Sequence, residues 1–227
     1  MMSTAISVKD VREALTEDGF YCIQDPRVGL GISEMEQNGS QFSPSSEAGW
    51  EFCKRYVLKY ANIRTTLESY KWCRLGYYRR IAEDQGHIFQ LRKGGEKPDI
   101  LLVHLWSKGS RAVYFPGSHL IPLKSVRAAN RMWEVPEAAL ERAGIKGREI
   151  PFKNGGLAIL DARLAFEMRH GSPVTGGLVV GDELTAVEDE LKKWPKLVVP
   201  KLQDPDRMVD ELESERINIH FAVPDKN

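Results

Sequence analysis

The chain has 227 residues and a mass of 25.7 kDa, with 32 Lys plus Arg balancing 32 Asp plus Glu. Zero net charge argues against broad electrostatic capture of nucleic acid or an anionic membrane. The length fits one large domain able to bury roughly 70% of its unfolded surface, and no apolar run approaches the ~20 residues of a membrane span.

The polar start Met1 to Asp10 lacks the apolar region of a signal peptide. Cys22, Cys53 and Cys73 are odd in number and at no zinc spacing. They read as reduced, partly buried thiols of an intracellular, cytoplasmic protein.

Val8 to Asp18 reads as a short helix, with Ser7 as N-cap and Gly19 as its stop. Phe20 to Ile23 reads as a strand. Pro26 to Ser46 is rich in Gly, Ser, Asn and Gln and predicts a loop or lid. A second helical stretch begins near Ser46, where Trp50, Cys53, Val57, Tyr60 and Ala61 recur at helical spacing as a core stripe. Arg79-Arg80 and Lys192-Lys193 read as solvated helix faces.

The centre changes character. Ile88 to Leu91, Ile100 to Trp106 and Ala112 to Phe115 are short apolar runs separated by glycine turns. Leu157 to Leu160, Leu164 to Met168, Leu178 to Val180 and Ile217 to Val223 continue the pattern. Strands at this spacing predict a sandwich or barrel. Pro136 opens a helix that Gly144 stops. Glu183 to Trp194 predicts an amphipathic helix with a candidate interface stripe, and Asp206 to Glu213 another short helix. The expected organisation is a single domain over 1–227. A helical N-terminal part covers 1–85, a β core 86–223, and a helical insert about 175–214.

Three stretches carry a resemblance. His104 to His119 ends in Pro116-Gly117-Ser118-His119. Leu15-Thr16-Glu17-Asp18-Gly19-Phe20 ends a helix in Asp-Gly-Phe before a strand. Gly155-Gly156-Leu157 to Leu164 is a glycine turn followed by a strand. Taken in chain order, with Ile217 to Ala222 as a last strand, they resemble the phytanoyl-CoA hydroxylase-like branch of the Fe(II)/2-oxoglutarate dioxygenases. The resemblance implies a mostly β fold with flanking helices, the cupin-like double-stranded β-helix or jelly roll. It also implies action on lipids or specialised (secondary) metabolites.

Such an iron site needs two histidines and a carboxylate on one face of the metal. The family pattern is His-x-Asp/Glu followed by a distant His, and no His-x-Asp or His-x-Glu occurs in this sequence. His87 stands where a first ligand is expected, with Phe89 in place of the carboxylate. Phe166 stands at the distal position. His170 lies four residues on, about 13 Å along a strand. Arg216 resembles the arginine that pairs with 2-oxoglutarate. The metal site therefore reads as dismantled and no cofactor is expected.

Three functions remain open. The chain is an auxiliary subunit, as homodimer or as heterodimer with a related oxygenase. Or it uses a repurposed apolar pocket for a hydrophobic small molecule, as a cofactor-free isomerase or cyclase with histidine acid–base chemistry. Or it is an active Fe(II)/2-oxoglutarate-dependent hydroxylase. Candidate catalytic residues are His87, His104, His170 and Tyr78. Candidate pocket residues are Phe89, Trp106, Phe166, Arg163 and Arg216, with Glu167 as a further carboxylate. Strand alternation puts Phe166 and His170 on the pocket face and Glu167 on the other. His119 reads as a turn histidine bonded to backbone, and His104 and His220 as core or edge residues.

Overall fold

The computed structural model describes residues 7–94, 100–200 and 216–222. Helix α1 (Val8–Glu17) is capped by Ser7, and Gly19 at φ 83° turns the chain into β1 (Phe20–Gln24). The first part of the stretch predicted as a loop is instead helix α2 (Pro26–Gln37), while 38–46 is irregular as expected. Asp25 caps it by accepting from Arg27 N at 3.0 Å, and Pro26 takes the first turn, where its missing N–H costs nothing. Its glycines serve close packing. A Cβ at Gly29 would stand 2.3 Å from Asn154 O, and one at Gly31 2.4 Å from the Tyr56 hydroxyl.

The aromatic stripe forms α3 (Glu47–Cys53), a π-helical turn (Lys54–Leu58) and α4 (Ala61–Leu67). The strands follow. They are β2 (Trp72–Arg80), β3 (Ile88–Gln90), β4 (Ile100–Trp106), β5 (Ser110–Phe115), β6 (Val126–Arg127) and β7 (Trp133–Glu134). After α5 (Glu137–Arg142) come β8 (Arg148–Phe152), β9 (Gly156–Asp161), β10 (Ala165–His170) and β11 (Val174–Gly181). Helix α6 (Leu184–Leu191), β12 (Leu197–Val198), β13 (Ile217–Ile219) and β14 (Phe221–Ala222) complete the described chain.

Two boundaries differ from expectation. The long strand β2 lies inside the part expected to be helical. The expected insert from 175 begins with β11, so its helix starts only at Leu184. The helix expected at Asp206 to Glu213 lies outside the described residues. No helix among them is long and apolar enough to cross a membrane.

Twelve of the described strands make two six-stranded sheets, ordered β1-β9-β4-β11-β2-β13 and β6-β7-β3-β10-β5-β8, and β12 pairs with β14 in a parallel ribbon. Eight strands, β2 to β5 and β8 to β11, wind between the two sheets as a double-stranded β-helix. Every pairing in the two sheets is antiparallel except β13 on β2. Alternation along β4 sorts the core. Leu101, Val103 and Leu105 face the N-terminal helices, while Ile100, Leu102 and Trp106 face between the sheets. A third cluster lies outside the second sheet under α5, built on Ile88, Val113, Phe115, Leu140 and Ala165.

The segments that carried the family resemblance meet at one corner. Gly117 N donates to Asp18 O (3.4 Å), Asp161 N to Gly19 O (2.9 Å), and Ala165 N to Ser118 Oγ (2.8 Å). His119 Nε2 donates to Thr16 O (3.2 Å), the backbone bond expected of a turn histidine. These motifs staple α1 to both sheets. They describe the scaffold and place no reactive group.

Candidate functional site

The space between the sheets is where the family resemblance leads one to expect an iron centre. Here it is filled with rings. Phe89 on β3 and Phe166 on β10 are direct cross-strand partners, 1% and 0% exposed. Phe20 stacks on Tyr114 (centroids 4.8 Å apart), Trp106 stacks on Phe152 (5.5 Å), and Trp106 Nε1 donates to the Tyr114 hydroxyl (3.1 Å). The expected pocket residues Phe89, Trp106 and Phe166 thus fill the interior as core.

His104 lies among these rings, edge-on to Phe166 at 4.8 Å and fully buried. Neither ring nitrogen has a hydrogen-bond partner. Thr175, its direct neighbour on β11, has a buried hydroxyl that is also unpaired. Burial holds the His104 imidazole neutral, down to about 3. It is a core histidine, as its apolar surroundings in sequence suggested.

The other histidines are elsewhere. His87 is on the surface, with Nδ1 2.6 Å from Asp84 Oδ1. His170 was expected beside Phe166 on the inner face, and this is corrected. A bulge between Met168 and His170 breaks the alternation, and the imidazole is exposed, 3.6 Å from Glu83. Half-buried His220 follows the edge strand β13, and burial lowers its pKa.

The remaining candidates have structural places. Tyr78 packs in the core on the helix side of the first sheet, away from the inter-sheet space; burial raises its phenol, and its hydroxyl is unpaired. Arg163 makes a buried fork with Asp161, Nε to Oδ1 2.9 Å and Nη2 to Oδ2 2.7 Å. Arg216 is exposed, and its carbonyl accepts from Cys73 N (2.8 Å) and Arg74 Nη1 (2.9 Å). Glu167 faces outward with Arg169, as alternation predicted. Burial raises all three thiols, Cys73 to about 12, so none is poised as a nucleophile.

The fit to iron is poor. All five histidines lie within the described residues. No group of three His, Cys, Asp or Glu side chains among those residues converges in a way that could hold a metal.

A different concavity stands at the mouth of the sandwich, where β2 of one sheet faces β3, β6 and β7 of the other. It encloses about 750 Å³, within the range of small-molecule sites. Gly76 on β2 lets α6 and Trp194 close over its rim, since a Cβ there would meet Leu191 at 2.9 Å and Trp194 at 3.5 Å. Tyr77, Trp133 and Trp194 supply aromatic wall, and Tyr77 meets Trp194 edge-on at 6.2 Å. Among the described residues six cations line the cleft, Arg79, Arg92, Arg127, Arg131, Lys193 and Lys196, against one carboxylate, Glu190.

Of the residues singled out in the sequence, Tyr78 and Trp194 border this cleft, but nothing there joined them to its cations. Arg79 lies on a strand rather than a helix face, and its Nη2 donates to Asn130 O (3.0 Å), tying the β6–β7 hairpin to β2. Lys193 pairs with Glu190 at 2.7 Å. The one local signal is the run Val126 to Trp133, where Arg127, Arg131 and Trp133 fall within seven residues.

No protein-family model matches the chain, and no curated protein matches its sequence significantly. Solved structures do match its fold. The non-heme alpha ketoglutarate dependent carbocyclase SnoK from nogalamycin biosynthesis is 14% identical at a TM-score of 0.51, over 80% of this chain and 87% of its own. The epimerase SnoN, solved with Fe3+, alpha ketoglutarate and nogalamycin RO, is 12% identical at 0.50, over 77% and 83%. The architecture is thus the double-stranded β-helix found in alpha ketoglutarate dependent oxygenase-like enzymes.

Proposed function

We propose that this chain is a metal-independent relative of the phytanoyl-CoA hydroxylase-like dioxygenases that binds an organic small molecule at the mouth of the jelly roll. The observation that carries this reading is the Phe89–Phe166 cross-strand pair. Two phenyl rings occupy facing inner positions where the fold would direct ligands at a metal, and neither has a lone pair to give. The mouth cleft favours a ligand of the chain's own over a purely auxiliary role. No histidine lines it, so histidine acid–base chemistry has no place there. The pocket differs from the apolar one expected between the sheets.

Anaerobic calorimetric titration with Fe(II) and 2-oxoglutarate tests the reading. No saturable heat is expected from either, alone or together. Stoichiometric, mutually dependent binding of the two would overturn it.

A further inference from the structure

The mouth cleft has an uneven charge, in a chain whose total charge is zero. Glu190 is mostly buried and already engaged. It accepts from Arg92 Nη2, Lys193 Nζ (2.7 Å) and Trp194 Nε1 (3.1 Å), and these bonds hold its carboxyl below the usual range despite burial. It therefore does not offset the other cations. Arg79, Arg127, Arg131 and Lys196 have no carboxylate partner among the described residues. Arg79 is held by neutral oxygens, the Tyr77 hydroxyl and Asn130 O.

The arginines are interleaved with flat rings. The Arg127 guanidinium lies 5.0 Å from the Trp133 ring centroid, and the Arg79 guanidinium 5.2 Å from that of Tyr77. The hairpin carrying Arg127 and Arg131 is built with strain. Arg131 has φ 68°, the only positive φ outside glycine among the described residues. L-residues with a Cβ rarely adopt this conformation, and glycine or asparagine would take it more cheaply. Here it is pinned by Arg131 N to Ala128 O (3.0 Å) and Met132 N to Asn130 Oδ1 (2.9 Å). A charged side chain held at such a position points to a use for the charge.

From these observations we infer that the cleft binds a planar aromatic carboxylate, its ring system against Trp133, Trp194 and Tyr77 and its oxyanion on Arg127 and Arg131. The inference rests on the mouth-site reading above and adds the ligand's chemical class. Guanidinium forks match carboxylate geometry, and aromatic walls favour a flat body over an aliphatic one.

The probe is 2-naphthoate, followed by tryptophan fluorescence and calorimetry on the full chain with chelator present. Saturable binding is expected, about tenfold tighter than that of neutral 2-naphthamide or of hexanoate, and weakening as salt rises. R127Q with R131Q should weaken 2-naphthoate about tenfold and leave 2-naphthamide unchanged. Arg131→Gly separates binding from folding, because it should raise Tm by relieving φ while weakening 2-naphthoate. Equal affinity for acid and amide would overturn the anion and leave the mouth site standing. Affinity unchanged in the double variant, or no saturable binding of either probe up to about 1 mM, would overturn the inference. The iron titration reads out separately, so failure here is distinguishable from failure of the metal-independent reading.

Discussion

Phe89 and Phe166 stand opposite each other on β3 and β10, both buried, in the same inter-sheet cluster as Trp106, Tyr114 and Phe152. A jelly roll closes its two sheets over an interior that must be either packed or lined. In this chain the interior is packed, and the ring contacts around His104 show how fully. That packing has an energetic consequence. Phe166→Ala should cost about 3–5 kcal/mol, from lost transfer energy plus a cavity that strands on two sheets cannot collapse to fill. Urea unfolding measures this. A loss under about 1 kcal/mol would mean the interior is looser than its ring contacts imply.

His104 and Thr175 bring three unpaired polar atoms into the same apolar interior. Leaving such groups unpaired costs more than apolar replacements of similar size. His104→Leu and Thr175→Val should each raise stability at neutral pH by about 1 kcal/mol. Chemical denaturation would contradict this if either variant were destabilised by a similar amount.

The same histidine sets an acid limit. Its folded-state pKa is depressed to about 3, so below ~6.5 the unfolded chain takes up the proton before the folded one does. Its contribution is fully present above ~6.5 and is lost as pH falls towards the folded value. Between pH 8 and pH 5 the loss should be about 2 kcal/mol. His104→Leu should remove that part of the slope, and parallel slopes for the two proteins would count against it.

Asp161 and Arg163 form a buried fork in the turn between β9 and β10. Asp161→Ala removes the carboxylate that forks this buried guanidinium and should cost about 3–5 kcal/mol. Thermal and urea melts read this directly. Retention of full stability would mean that solvent reaches the arginine in the variant.

Gly19 and Gly39 make a matched pair. Both have positive φ, 83° and 63°. A Cβ at Gly19 would lie 2.5 Å from His119 Nδ1 and 2.7 Å from Leu164 Cδ1, whereas one at Gly39 meets nothing within 4 Å. Gly39→Ala should cost about 1 kcal/mol, from backbone strain alone. Gly19→Ala should cost at least about 2 kcal/mol more, because it also opens the corner where α1 meets both sheets. Equal costs would show that the corner yields.

The sequence by itself determined several things about this protein. Local chemistry carried the caps at Ser7 and Pro136, the stops at Gly19 and Gly144, and the alternating β runs, since each depends on a few adjacent residues. It also carried the lack of a His-x-Asp/Glu pair. Helix α2 was misread because its glycines answer to Asn154 and Tyr56, residues far off in the chain. Strand β2 was missed because the Gly76-Tyr77-Tyr78 run and the register shift at Gly76 interrupt its apolar alternation.

Only the tertiary structure decided which side chains meet. A bulge one residue long sends His170 outward, and pairing register decides that Phe89 meets Phe166. The mouth cleft gathers Tyr77, Arg127, Trp133 and Trp194 from elements spread over more than half the chain. No local propensity encodes that gathering. It arises because β2 and the β6–β7 hairpin belong to different sheets that closure of the jelly roll brings face to face.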